Sequence, residues 1–199
     1  MSHAPVLLAE AMEALALKDG GLYIDATFGG GGYSREMLAR ADCRVIAFDR
    51  DPDAIARGAE LAASAKGKFT LLQGRFGDLA VDELVDGVVF DLGVSSFQLD
   101  EAERGFSFQA DADLDMRMEK DGLSAADAVN RLSEGALADL IYQYGEDDDS
   151  RRIARAIVQA RAAAPITRTL PFAKLVEDSV GGRKGARTQL RDITPDFTH

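Results

Sequence analysis

A chain of 199 residues, 46% of them hydrophobic, has the length of one domain or slightly more and enough apolar content for a sizeable core. Its one cysteine, Cys43, excludes a disulfide framework and a Cys/His zinc set, so no metal is expected and a cytoplasmic address fits. The formal charge of −11 argues against general coating of nucleic acid, and no apolar run approaches the ~20 residues that a membrane span needs.

The charge is uneven. Through residue 150 the chain has 13 basic and 30 acidic residues; after it, 10 and 4. The last quarter reads as a phosphate-facing segment or as a helix with a solvated basic face. Met1-Ser-His-Ala-Pro5 has no basic stretch leading into a long apolar run, so no signal peptide is expected.

Residues 3–8 read as extended, and Ala9 to Leu17 as helix, broken by Lys18-Asp-Gly-Gly21. Leu22-Tyr-Ile-Asp25 suits a buried strand. The run Gly29 to Gly32 follows, and a helix starts near Ser34 and ends near Arg40. Glycines ahead of a helix N-terminus let the backbone come close to a ligand and aim N–H groups at it, as nucleotide sites do. Arg44 to Phe48 is a second strand, stopping at Asp49-Arg-Asp-Pro52. Pro52 suits the first turn of a helix that Asp51 caps and that runs to about Ala65. Lys68 to Gln73 and Asp86 to Asp91 are two more strands. Strand and helix alternate, which predicts a parallel sheet with helices on its faces and a ligand at the carboxyl ends of the strands. Asp25, Asp49, Arg75 with Asp78, and Asp91 with Ser95 and Ser96 collect there.

Beyond Gln98 the character changes. Residues 100–120 are charged and loop-like. Helices are then predicted over Ala125–Leu132, Ala136–Tyr144 and Ile153–Ala164, with Ser124 and Ser133 as caps and a short helix at Leu170–Val176. The domain reading is a partial α/β unit over 1–100, a helical module over 101–180, and a basic, glycine-rich tail over 181–199 without regular structure.

Asp49, at the end of the second strand, suits ribose hydroxyls, or else caps the helix beside Pro52. The dinucleotide pattern G-x-G-x-x-G fails at Ser34, where its last glycine belongs. Asp25 ahead of the glycines suits a cationic aminoacyl group better than a pyrophosphate, which favours S-adenosylmethionine over a nicotinamide cofactor. Phe76 is placed to lie against an adenine, or is ordinary core. Asp91 and the serines after it could hold an exocyclic amine, or form a capped turn.

His3-x-Pro-Val-Leu-Leu, Tyr23-Ile-Asp-Ala-Thr-Phe-Gly, Asp49-Arg-Asp-Pro, Asp86-Gly-x-x-x-Asp-Leu-Gly-Val-Ser-Ser96, Glu103-Arg-Gly-Phe-Ser-Phe108, Leu114-Asp-Met-Arg-Met118 and Tyr144-Gly-Glu closely resemble the bacterial small-subunit ribosomal RNA methyltransferase family RsmH, or MraW, over about residues 3–176. The resemblance implies a class I, Rossmann-like S-adenosylmethionine methyltransferase sheet, incomplete at its C-terminal strands, with an inserted helical module. It implies N4-methylation of a cytidine in 16S ribosomal RNA, with S-adenosylmethionine as cofactor and the small subunit as partner; a dimer is compatible with it. Gly31, Gly32 and Tyr33 would contact the cofactor, Asp49 the ribose and Phe76 the adenine, with Asp25, Asp91 and Gln98 completing the site. Asp91, Ser95 and Ser96 would serve catalysis. Arg104, Phe106, Phe108 and Arg117 would contact RNA, the two phenylalanines being core in the other reading. The family's usual Gly-Arg-Gly-Gly-His-Ser is Gly29-Gly-Gly-Gly32-Tyr33-Ser34 here, and its Ser-Phe-His-Ser-Leu-Glu-Asp block is absent. The alternative is therefore an inactive member that binds cofactor or RNA without turnover.

Overall fold

The computed structural model describes Pro5 and residues 7–181. The predicted irregular tail and the His3 segment lie mostly outside those residues. The chain divides into two compact units between Ser95 and Ser96.

The first unit has four strands, β1 (Leu22–Asp25), β2 (Arg44–Asp49), β3 (Phe69–Gln73) and β4 (Gly87–Val89), and three helices, α1 (Leu8–Leu15), α2 (Gly32–Arg40) and α3 (Pro52–Ser64). The sheet is parallel throughout, in the order β3-β2-β1-β4. The register sets Asp25 beside Ala47 of β2 and Val89 of β4. One face is sealed by the helices. Tyr23, Val45, Ala47, Phe69 and Val89 pack there with Met12 of α1, Met37 of α2 and Ala54 of α3. Cys43 belongs to this core and is 1% exposed. On the other face Ile24, Ala26 and Phe48 meet Leu79, Val81 and Val85 from the connection between β3 and β4.

The elements follow from local chemistry. Asp51 caps α3 by accepting the Asp53 N–H at 2.9 Å, and Pro52 opens the helix where no N–H donor is needed. The ladder of β4 is shorter than the predicted strand over 86–91. At its start the Asp86 carboxylate accepts the Leu22 N–H at 2.9 Å and pairs with Lys18 at 2.6 Å, which holds the Asp86 carboxyl below its usual range. At its end the Asp91 N–H turns to the Thr27 hydroxyl instead of a strand carbonyl.

The second unit is helical: α4 (Ser96–Asp100), α5 (Ala125–Arg131), α6 (Glu134–Gly145), α7 (Ser150–Ala163) and α8 (Thr169–Ser179). The sequence reading assigns no element to residues 97–99, which lie in α4. Ser124 and Asp127 form a reciprocal cap on α5, and Ser133 caps α6. Residues 105–124 have no helix and are pinned by hydrogen bonds. Asn130 reaches from α5 to Ile166, donating to its carbonyl at 2.7 Å and accepting its N–H at 2.9 Å. Leu137 and Ile141 of α6, Ile153 and Ile157 of α7, and Phe172 and Val176 of α8 are buried. Among the described residues no helix is long and apolar enough to cross a membrane.

Candidate functional site

β1 ends at Asp25 and runs into Ala26-Thr-Phe-Gly29-Gly-Gly-Gly32, where α2 begins. Gly29 (φ 53°) and Gly31 (φ 76°) take left-handed backbone. A Cβ on Gly31 would lie 2.6 Å from the Phe28 ring, and one on Gly32 would collide with the Pro5 ring. The loop is fixed from the ends of two neighbouring strands, β2 and β4. Phe28 donates its N–H to the Phe48 carbonyl at 2.8 Å, Gly29 donates to the Asp49 carboxylate at 2.7 Å, and Thr27 accepts from the Asp91 N–H at 2.7 Å. Arg35 on α2 donates to the Gly30 carbonyl. No side chain caps α2 at Gly31, and the Asp25 carboxylate accepts the Ser34 N–H in its first turn.

Three carboxylates stand at the ends of adjacent strands, and each sits above its ordinary pKa because it is desolvated. Asp25 is fully buried, and burial pushes it up to about 6. Hydrogen bonds from the Ser34 hydroxyl at 2.6 Å and the Thr27 N–H at 3.3 Å offset part of that rise. Asp49 is raised by burial, against the two backbone N–H groups of Asp51 and Gly29 that favour its anion. Asp91, more exposed, is raised by desolvation alone. Burial raises the Tyr33 phenol too, with help from the charges of Asp91 and Asp25. The first unit thus gathers Asp25, Gly31, Gly32, Tyr33, Asp49 and Asp91. Ser95 belongs with them, since a Cβ on Gly29 would lie 4.0 Å from its own.

Several placements differ from what residue type suggested. Asp25 offers no exposed edge, because its two oxygens hold Ser34 and Thr27 in place. Asp49 does not cap α3, which Asp51 does; instead it ties down Gly29. Each of its oxygens accepts one backbone N–H and has lone pairs left for a ligand hydroxyl. Phe76 lies in a single turn of 3-10 helix after β3, 38% exposed, edge-on to Phe90 with ring centroids 5.7 Å apart.

The other predicted residues belong to the second unit. Ser96 and Gln98 are on α4, with Gln98 only 5% exposed. Phe106 is 2% exposed, which corrects its reading as a base-stacking ring: no face is open. Arg104 is buried as well. Its guanidinium sits over that ring and donates to the carbonyls of Arg117 and Met118. Phe108 is half-buried. Arg117 forms a two-point ion pair with Asp115 at 2.7 and 2.8 Å, which holds the Asp115 carboxyl below its usual range. Asp115 in turn accepts the Arg117 N–H, so this arginine is locally fastened.

Sequence reasoning missed Thr27, the link between the β1 loop and the end of β4, and Ser34, the partner of Asp25. A lone threonine or serine carries no signal of its cross-strand partner. Among the described residues no group of His, Cys, Asp and Glu is arranged to hold a metal ion.

The model of the MraW methylase family matches residues 1–193. Ribosomal RNA small subunit methyltransferase H of Gluconobacter oxydans is 56% identical over 178 residues, 87% of this chain and 55% of that protein. The Rhodospirillum rubrum protein of the same name is 56% identical over 184 residues, 89% of this chain and 56% of that protein. That of Hyphomonas neptunium is 52% identical over 198 residues, 96% of this chain and 58% of that protein. The chain thus spans a little over half the length of the curated relatives it matches.

Proposed function

This chain belongs to the MraW methylase family, and from that premise we propose that it is the cofactor-binding part of an S-adenosylmethionine-dependent enzyme that methylates N4 of a cytidine in 16S ribosomal RNA of the small subunit, in the cytoplasm. The observation that carries the reading is the trio of Asp49, Asp25 and Asp91 at the ends of β2, β1 and β4, around a glycine loop bare of side chains. A cationic, nucleoside-bearing cofactor fits this arrangement. Its charge compensates carboxylates that burial has made costly, and a Cβ at Gly31 or Gly32 would disturb the cradle.

S-adenosylmethionine, when bound, supplies an electrophilic methyl on its sulfonium. The glycine loop and the first turn of α2 would hold it through backbone N–H groups. Asp49 accepts hydrogen bonds from ribose hydroxyls with the lone pairs that Gly29 and Asp51 leave. Phe76 borders the adenine. Asp25 acts from below, contributing negative charge while holding the loop through Ser34 and Thr27. Ser95 orients the cytosine edge. Asp91 would accept an N–H of the exocyclic amine, which orients the nitrogen lone pair, and would hold the proton that the methylated nitrogen gives up. Burial makes it a better proton acceptor than an exposed aspartate. Most of the rate comes from alignment, for which ~7–11 kcal/mol is the ceiling. The target base reaches such a site only when single-stranded or flipped. In the second unit Phe108 and Arg117 stay as RNA contacts, with Arg104 holding the segment of Arg117 and Met118.

The test is calorimetric titration with S-adenosylhomocysteine and with NAD, followed by transfer of labelled methyl to small subunits lacking the modification. Selective binding of S-adenosylhomocysteine and label on cytidine N4 support the proposal. Preference for NAD, or label on another atom, overturns it. Cofactor binding without transfer supports the alternative of a binding-only member.

A further inference from the structure

Asp25, Asp49 and Asp91 stand at or just beyond the carboxyl ends of β1, β2 and β4. Such a set suits the sulfonium and the ammonium of the proposed cofactor. It repels the α-carboxylate, which S-adenosylmethionine and S-adenosylhomocysteine share. A cation is built into the loop itself. Arg35, on α2, donates its backbone N–H to the Gly31 carbonyl at 3.0 Å, and its guanidinium Nη1 donates to the Gly30 carbonyl. Gly31 makes room for this: a Cβ there would lie 2.9 Å from Nη1. Arg35 is exposed, and among the described residues no carboxylate pairs with its guanidinium. The neighbouring Glu36 is taken by Arg40 at 2.6 Å.

Helix stability does not account for this placement. Arg35 stands near the N-terminus of α2, where the helix dipole disfavours a cation. A guanidinium has several N–H donors in a planar fork, and the Gly30 carbonyl takes one of them. The edge left over can meet a carboxylate at two points. We propose that Arg35 receives the α-carboxylate at the amino-acid end of the cofactor. This rests on the cofactor reading and names the group of that same site that selects an amino-acid-bearing nucleoside. The tie to Gly30 holds the guanidinium at the loop before the ligand arrives, so less side-chain freedom is lost on binding.

Calorimetry compares S-adenosylhomocysteine with its decarboxylated analogue, which keeps the adenosine, the thioether and the amine. The proteins are the native chain, Arg35→Ala and Arg35→Lys. The native chain should prefer the carboxylate-bearing ligand by about tenfold or more, the scale of a hydrogen-bonded charge pair. Arg35→Ala should abolish that preference by losing affinity for S-adenosylhomocysteine alone. Arg35→Lys, a point charge without the fork, should keep part of it. Both replacements form helix well, and unchanged binding of the decarboxylated ligand reports a folded site. Equal loss of both ligands in Arg35→Ala overturns the proposal, as does a native chain that binds both alike. A preference untouched by Arg35→Ala, with weaker binding of a small-subunit RNA fragment, also overturns it and gives the guanidinium to a phosphate. A native chain that binds neither ligand overturns the cofactor reading as well.

Discussion

Asp25 is the residue on which the cradle rests, and its titration has a defined sign. In the unfolded chain it ionises near 3.9, whereas burial holds it at about 6 in the fold. The native state therefore keeps a proton that the unfolded state has released, and stability falls as pH rises through that window. The span corresponds to about 3 kcal/mol. Asp25→Asn removes the titration, so its urea midpoint should gain on the native protein between pH 4 and pH 6 and run parallel above that. Asp91 is tested differently. Asp91→Asn should lower methyl transfer by ~10²-fold or more, within the range for a lost proton acceptor, with little change in binding of S-adenosylhomocysteine. Thr27→Val removes the hydroxyl that accepts the Asp91 N–H and should cost about 1 kcal/mol in chemical denaturation.

At the scale of elements, the β1-loop-α2 unit is where backbone and function coincide. Gly31→Ala combines left-handed backbone with a collision against Phe28, so a loss of about 2 kcal/mol or more is expected, together with weaker cofactor binding by calorimetry. Ser124→Ala, in the second unit, should lose about 1 kcal/mol of stability and leave cofactor binding unchanged. The elements were largely legible in the sequence because their signals are local. Apolar runs ending in Asp25 and Asp49 marked β1 and β2, Pro52 after Asp51 marked α3, and Ser124 and Ser133 marked two caps. The site was legible as residue types at strand ends. Its wiring was not. That Asp49 holds Gly29, 20 residues away, and that Asp91 meets Thr27, 64 residues away, are facts of the parallel register, which composition does not encode. Burial escaped for the same reason. Arg104 and Phe106 have the residue types of an RNA surface, and only tertiary packing turns them inward.

For the whole molecule, charge is the property that composition predicted least well. The basic residues of the second unit are extensively paired within it. Arg131 bonds Asp127, Arg155 bonds Glu134, Arg168 bonds Asp111 and Asp113, and Lys174 bonds Asp178. Part of the positive count over residues 151–181 is thus taken up by ion pairs within the unit. The acidic cofactor site makes the opposite contribution. Because burial raises Asp25 to about 6, a cationic ligand should bind more tightly as pH rises from about 5 to 7, that carboxyl releasing its proton to meet it; burial raises Asp49 and Asp91 in the same direction. Calorimetry with S-adenosylmethionine in that range checks the slope, and neutral S-adenosine-type ligands without the sulfonium should show a shallower one.

Cys43 turns this molecule into its own clock. It is the single thiol of the chain, packed behind α2 with its sulfur 3.5 Å from the Met37 carbonyl, and burial raises its pKa. A thiol-reactive dye can reach it only when the core of the first unit opens. The labelling rate therefore reads the opening of that unit by itself, without an engineered probe and without interference from the second. Added S-adenosylhomocysteine should slow the dye in proportion to its occupancy, giving a reagent-bottle measure of ligand affinity.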